Sequence, residues 1–162
     1  MKLTWRTTNI VGFFIILILF AAALGAQYLY HLNPCPLCIM QRIAYIVMGI
    51  IFFVFLLVPQ KKWLIKLQGI LLFIASSSGL AIAGRQIYLQ HLPAGQAPSC
   101  GPGLNYLFAN FPWHEAVQMV LQGSGECAVV DWQLLGLSMA EWSGIWFVIF
   151  IAWSFYLVFK KQ

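Results

Sequence analysis

Charge is scarce in this sequence, and acid is scarcer still. Of 162 residues only 8% are charged and 62% are hydrophobic, with nine Lys and Arg against four Asp and Glu. A soluble domain carries about 25% charged residues, so a water-solvated globule is excluded. The four acids are Glu115, Glu126, Asp131 and Glu141, so no acid precedes residue 115. Internal repeats and low-complexity tracts are missing too. So is any basic patch interleaved with aromatics outside the membrane flanks, which excludes nucleic acid as a partner. The net charge of +5 is then a matter of membrane orientation.

What the sequence has in abundance is long apolar runs. Four of them, at about 9–29, 39–58, 67–84 and 142–159, approach the ~20 residues that a bilayer core of about 30 Å requires. They predict an all-α, integral membrane four-helix bundle, a single domain over residues 1–162. The third run is the least apolar, through Ser76, Ser77 and Ser78. These serines lower hydropathy without marking a site, whereas Ala75, Gly79 and Ala83 at i, i+4, i+8 form a stripe for close helix packing. Lys2, Arg6 and Ala21-Ala22-Ala23 give the first run some features of a signal peptide. Its apolar stretch exceeds the about 7–15 residues of such a segment, so it is read as an uncleaved first span.

Basic residues orient the spans. Lys2 and Arg6 precede the first, Lys61, Lys62 and Lys66 separate the second from the third, and Lys160 and Lys161 follow the fourth. All fall on one side, which the positive-inside rule makes cytoplasmic. Both termini are then cytoplasmic, and loops 30–38 and 85–141 lie outside with all four acids. Arg42 and Arg85 are the basic residues at the far side or its interface. Trp5, Trp63 and Trp142 sit near span ends, as interfacial aromatic belts do.

All four cysteines fall outside: Cys35 and Cys38 in the short loop, Cys100 and Cys127 in the long one. An even number on that side points to disulfides. Zinc is the alternative for a Cys-x-x-Cys, but the second pair does not repeat the tight knuckle of a zinc ribbon, and no metal is expected. A structural bridge suits Cys100 and Cys127, because long unstapled loops are uncommon. It suits Cys35 and Cys38 poorly. A bridge across two residues closes almost no chain, and such pairs are typically redox-active.

Pro34 and Pro36 favour a helix start at this point. In a helix, Cys35, Cys38 and Arg42 share one face, with Cys38 near the positive end and Arg42 one turn on, about 6 Å along the axis. An arginine in a span costs about 2.5–3.5 kcal/mol at mid-bilayer, less near the surface, where it can bind lipid phosphate. Its i+4 register with Cys38 favours a role in stabilising a thiolate or a bound anionic or quinoid group.

In the long loop, Gln86–Pro98 carries His91 and Pro93, and Cys100-Gly101-Pro102-Gly103 is a turn open to attack by an outside thiol. Pro112–Leu121 predicts a short interfacial helix. Trp113, Val117, Val120 and Leu121 line one side of it, and His114, Glu115, Gln118 and Gln122 the other. Gly123-Ser124-Gly125 ends it and gives Cys127 a hinge.

Four spans, Cys35-Pro36-Leu37-Cys38-Ile39-Met40-Gln41-Arg42 at the head of the second, an isolated Cys100 before Gly-Pro, and Gly125-Glu126-Cys127 ahead of Trp132-Gln133-Leu134-Leu135-Gly136-Leu137 together resemble the DsbB family, the disulfide bond formation protein B of bacterial inner membranes. The resemblance covers essentially the whole chain. It implies a thiol:quinone oxidoreductase that reoxidises a periplasmic, thioredoxin-fold, DsbA-like oxidase and passes the electrons to ubiquinone or menaquinone. By the same resemblance, Cys100 is the sulfur attacked by the partner, and released Cys127 attacks Cys35. Cys38 becomes the thiolate facing quinone, with Arg42 beside it and His91 in the quinone-lining region. The plain alternative for His91 is an interfacial histidine, and Arg85 is assigned no role beyond phosphate contact. Gln41 stands where some relatives have an acid. Two other readings remain: a non-catalytic membrane scaffold with structural disulfides, and a relative of the quinone-linked epoxide reductases. The latter place their Cys-x-x-Cys in a later span.

Overall fold

A computed structural model describes residues 5–29, 31, 33–93, 96, 98–99, 101 and 103–159, with only the backbone of Asn105. Lys2, Ala94, Gly95, Ala97, Cys100, Pro102, Lys160 and Lys161 lie outside the described residues. The chain is a four-helix membrane bundle: α1 (Trp5–Leu29), α2 (Pro36–Leu57), α3 (Lys62–Gln90) and α6 (Met139–Phe159) are each long and apolar enough to cross a bilayer. Between α3 and α6 come α4 (Leu104–Asn110), α5 (Trp113–Gln122), a 3-10 turn at Gly125–Cys127, and a hairpin of β1 (Gln133–Leu134) and β2 (Leu137–Ser138).

The helices outrun the apolar runs because caps, not hydropathy, end them. α2 starts at Pro36 with Cys35 as its N-cap. α3 continues past Gly84 to Gln90, where His91 is the C-cap and Pro93 bars further helix. Arg85 and Gln86, expected in the outer loop, are therefore helical. α6 begins with a capping box: Ser138 N–H donates to Glu141 Oε2 at 2.6 Å, and Glu141 N–H donates back to Ser138 Oγ at 3.3 Å.

α1 packs on α2, α2 on α3, and α3 most extensively on α6. In lipid, such packing rests on close van der Waals fit. The small-residue stripe supplies it: Ala75, Gly79 and Ala83 are buried, and a Cβ at Gly79 would collide with the Phe147 ring of α6. On α2 the inward seam is Gln41, Tyr45, Met48, Phe52 and Phe55, at alternating steps of three and four. Trp5 departs from the belt expectation. It is buried, and its Nε1–H donates to the Phe55 carbonyl at 3.1 Å, joining α1 to the end of α2. Trp63 is largely exposed.

The loop contains two short helices where one was expected. α4 is the addition, and Leu107 packs on Ala116 and Val120 of α5 and on Met40 of α2. Ala116 and Val120 are the buried face of α5, while Trp113 and Leu121, expected to line one side with Val120, are exposed. Gly123 at φ +78° closes α5, and a Cβ there would also run into Leu89. The Trp132–Leu137 motif is the hairpin. Its register pairs Gln133 with Ser138 and Leu134 with Leu137, and Leu135 and Gly136 turn with positive φ.

Candidate active site

The site sits at one end of the bundle, where α2 begins and α3 ends. Cys35 is the N-cap of α2, and its Sγ accepts the Cys38 N–H at 3.3 Å. The two thiol sulfurs lie 2.6 Å apart. One turn of helix makes this pair, because a cap residue and the third helical residue face each other across the first turn. The unpaired N–H groups of that turn favour negative charge on either sulfur.

Cys127 reaches the same place from the far side of the outer loop. It is fully buried and packs with Cys35, Leu37 and Leu89. Its sulfur accepts the Cys35 S–H, and this bond foremost holds the Cys127 thiol down to about 6 from 9.0; burial opposes it, and the Ser124 and Leu37 main-chain N–H groups add to it. The shared proton pushes the Cys35 thiol far up. In this reduced state Cys127 is the more readily ionised thiol of the two, and its sulfur stands against Cys35. Hydrogen bonds to two main-chain carbonyls help to hold the loop there. Gly125 N–H donates to the Ser99 carbonyl at 3.2 Å, and Arg85 donates from Nη2 (2.9 Å) and Nε (3.3 Å) to the Gln122 carbonyl at the end of α5. Arg85, which the sequence left without a role beyond phosphate contact, is thus a clamp on the segment that carries Cys127.

Arg42 and Cys38 line the same cavity, together with Ala23 and Gln86. The guanidinium is tied to α1: Nη1 donates to Gln27 Oε1 at 2.5 Å and Nη2 to the Ala23 carbonyl at 3.2 Å. Gln27 was invisible to sequence reasoning, because nothing local marks it as an arginine partner. The cavity continues into a larger apolar one of about 520 Å³ between α1 and α6, sharing Ala23, Tyr45, Met139 and Ser143.

His91 does not line this cavity. It is exposed at the C-cap of α3, with Nδ1 2.9 Å from the Ile87 carbonyl. The α3 residue that meets the sulfurs is Gln86, with Nε2 3.2 Å from Cys38 and 3.4 Å from Cys35. A signal for it existed: Gln86 continues the stripe Ala75, Gly79, Ala83 by one further step of three. Cys100 lies outside the described residues. Its chain neighbour Ser99 bonds Gly125, and a Cβ at Gly101 would lie 3.5 Å from the Ser124 Cβ.

The family model for "Disulfide bond formation protein DsbB" matches residues 5–157. The chain belongs to the DsbB family. It is 43% identical over 148 residues to the disulfide bond formation protein B of Nitrosococcus oceani, covering 91% of this chain and 88% of the relative. For the protein of that name from Hahella chejuensis the identity is 42% over 154 residues, 94% and 93% of the two chains. For that of Acinetobacter baumannii it is 40% over 167 residues, 99% and 98%. The segments that carried the sequence resemblance are, in this structure, an N-cap cysteine pair, a 3-10 turn ending at Cys127, and a hairpin that leads into α6.

Proposed function

We propose that this chain is a thiol:quinone oxidoreductase of the bacterial inner membrane that sustains disulfide bond formation. In this reading it reoxidises a periplasmic DsbA-like oxidase and hands the electrons to ubiquinone or menaquinone. One observation carries the reading: three sulfurs stand in series, Cys127 on Cys35 and Cys35 on Cys38, and Cys38 borders a cavity that leads to an apolar groove.

The resting protein holds a Cys100–Cys127 bridge and a Cys35–Cys38 bridge. A partner thiolate attacks Cys100 and forms a mixed disulfide with it; the Cys100–Cys127 bond breaks, and its electron pair stays on Cys127 as a thiolate. The partner's second thiol later displaces Cys100 as a thiolate and leaves the partner oxidised. The Cys127 thiolate attacks Cys35 Sγ; a Cys127–Cys35 bond forms, the Cys35–Cys38 bond breaks, and the electron pair moves to Cys38. The helix start stabilises Cys38 as the leaving thiolate. The donors at the cavity fit a quinone head. Arg42 offers a fixed cation held by Gln27, and Ala26, Leu29 and Trp146 give an apolar wall for its ring and tail. Bound there, a quinone supplies a two-electron, two-proton acceptor. Lys61, Lys62 and Lys66 lie at the opposite end of the bundle from the sulfurs, which supports cytoplasmic termini and periplasmic cysteines.

Purified protein in detergent, given reduced DsbA and soluble ubiquinone or menaquinone analogues, tests this by quinone absorbance. Turnover is expected, and both Cys38→Ser and Cys100→Ser are expected to abolish it. No turnover with either analogue, from protein with intact disulfides, sinks the oxidase and leaves a membrane scaffold.

A further inference from the structure

Beneath the sulfurs lies a pair of buried amides. Gln41 and Gln86 are each about as buried as the apolar seam around them, at 4% and 3% exposure. Gln41 Nε2–H donates to Gln86 Oε1 at 2.7 Å. In that bond the Gln86 oxygen faces Gln41. With its oxygen turned to Gln41, its Nε2–H groups are presented to Cys38 Sγ at 3.2 Å and Cys35 Sγ at 3.4 Å. In the thiol form Cys38 S–H also donates to Gln86 Oε1, at the longer distance of 3.6 Å; a thiolate has no proton to give and meets only the Nε2–H. The amide is the α3 side chain that bonds both sulfurs, and it comes from a different helix than the sulfurs do.

We infer that Gln86, oriented by Gln41, is a positioning pair that stabilises negative charge on Cys38 when the Cys35–Cys38 bond opens. The chemistry is that of a charge-assisted hydrogen bond. A disulfide sulfur is a poor acceptor and a thiolate a good one, so the N–H donor favours the opened form over the bridged form. The surroundings sharpen this, since a buried site has little water to offer the thiolate instead. Gln41 makes no sulfur contact. Its part is to hold the Gln86 oxygen toward itself, so that the nearer group at the Cys38 sulfur is the Nε2–H donor, which meets the developing charge. The inference rests on the exchange sequence above for its purpose, but its physical content is a difference in the stability of the Cys35–Cys38 bridge.

The test needs neither quinone nor partner. The full-length protein in detergent, carrying Cys100→Ser and Cys127→Ser to isolate the first pair, is equilibrated with glutathione redox buffers. Bridged and open forms are then counted by thiol alkylation. Methionine replaces glutamine at nearly constant shape, without a donor. Gln86→Met is expected to shift the equilibrium toward the bridge by about tenfold, and Gln41→Met by about threefold. Added to Gln86→Met, Gln41→Met is expected to do nothing more. A merely structural amide pair would lower thermal stability and leave this equilibrium in place. An unchanged equilibrium in folded Gln86→Met overturns the inference, and so does a Gln41→Met effect of the same size in the Gln86→Met background. Should Gln86→Met fail to fold, Gln41→Met carries the test alone, and an unchanged equilibrium there has the same force. Loss of quinone turnover with the expected glutathione shifts intact would count against the proposed function and not against the amide pair.

Discussion

The two ends of the bundle each bury an amide pair, and they use it differently. At the basic end, Gln68 of α3 donates from Nε2 to Asn9 Oδ1 of α1 at 2.6 Å, and Asn9 Nδ2 donates to the carbonyls of Trp5 (3.1 Å) and Phe55 (3.4 Å). Both side chains are fully buried, and Gln68 Oε1 has no hydrogen-bond partner among the described residues. The bonds of this pair run amide to amide or amide to main chain, so it knits α1, α2 and α3 and bonds no sulfur. At the cysteine end, the Gln41–Gln86 pair spends its free donors on sulfur, beside a cavity. A buried amide pair is therefore no sign of a site in itself. What separates glue from machinery is the group that receives the remaining N–H.

That contrast can be broken in several ways. The largest effect belongs to the sulfurs: Cys38→Ser is expected to end turnover altogether, whereas Asn9→Leu is expected to leave turnover in the folded protein intact. Next comes the ionisation of Cys127. With its thiol held down to about 6 by the Cys35 S–H, alkylation of the reduced protein at Cys127 should reach half its maximal rate near pH 6. Below that midpoint the rate should fall about tenfold per pH unit, as the thiolate takes up its proton. An ordinary thiol near 9.0 would be only about one-thousandth ionised at pH 6. Cys35→Ala removes the donor and should move the midpoint upward; a midpoint that stays put would show that no proton is shared.

Third, Asn9→Leu strands both polar atoms of Gln68 in the bundle and should cost about 1–3 kcal/mol of stability. Gln68→Met also removes the unpartnered Oε1 and should cost less, in thermal or denaturant unfolding in detergent. Equal losses would mean that the pair is not cooperating. Fourth, Gly79→Ala drives a Cβ into Phe147 and should destabilise by about 1–3 kcal/mol. Gly84→Ala meets nothing within 4 Å and should stabilise by up to about 1 kcal/mol. The smallest effect expected is that of Arg85→Gln. Without the guanidinium on the Gln122 carbonyl, the end of α5 loosens, and Cys127 should be alkylated about threefold faster at fixed pH. No change would mean that the Gly125–Ser99 bond and the Gly123 turn against Leu89 hold the loop without Arg85.

The local features were legible in the sequence. Four spans follow from hydropathy and length, and the cysteine pair at a helix start follows from Pro34, Pro36 and the i, i+3 spacing. The small-residue stripe follows from the helical repeat. Two signals were present and passed over: the Ser138-x-x-Glu141 capping box, and the step from Ala83 to Gln86. Both were masked by hydropathy, which falls near the membrane surface before the helix ends. Arg42 and Gln41 illustrate the limit well. They stand at i+4 and i+3 from Cys38, and spacing alone favoured the charged one as the sulfur's companion. In the fold Arg42 turns to Gln27 on α1, while Gln41 lies on the inward seam and works through Gln86.

By itself, then, the sequence determined what one helix can specify: which segments span, where they begin, and that two thiols share a first turn. Those are consequences of backbone geometry within about one turn. Tertiary structure decided the partners. Cys127 against Cys35, Gln86 beneath both sulfurs, Gln27 on Arg42 and Arg85 on the end of α5 each join residues from separate segments. Helical periodicity names the face of each helix but not the neighbour that the face will meet. That choice is made by how the Gly79 stripe seats α3 on α6 and by where Gly123 turns the loop back over the bundle.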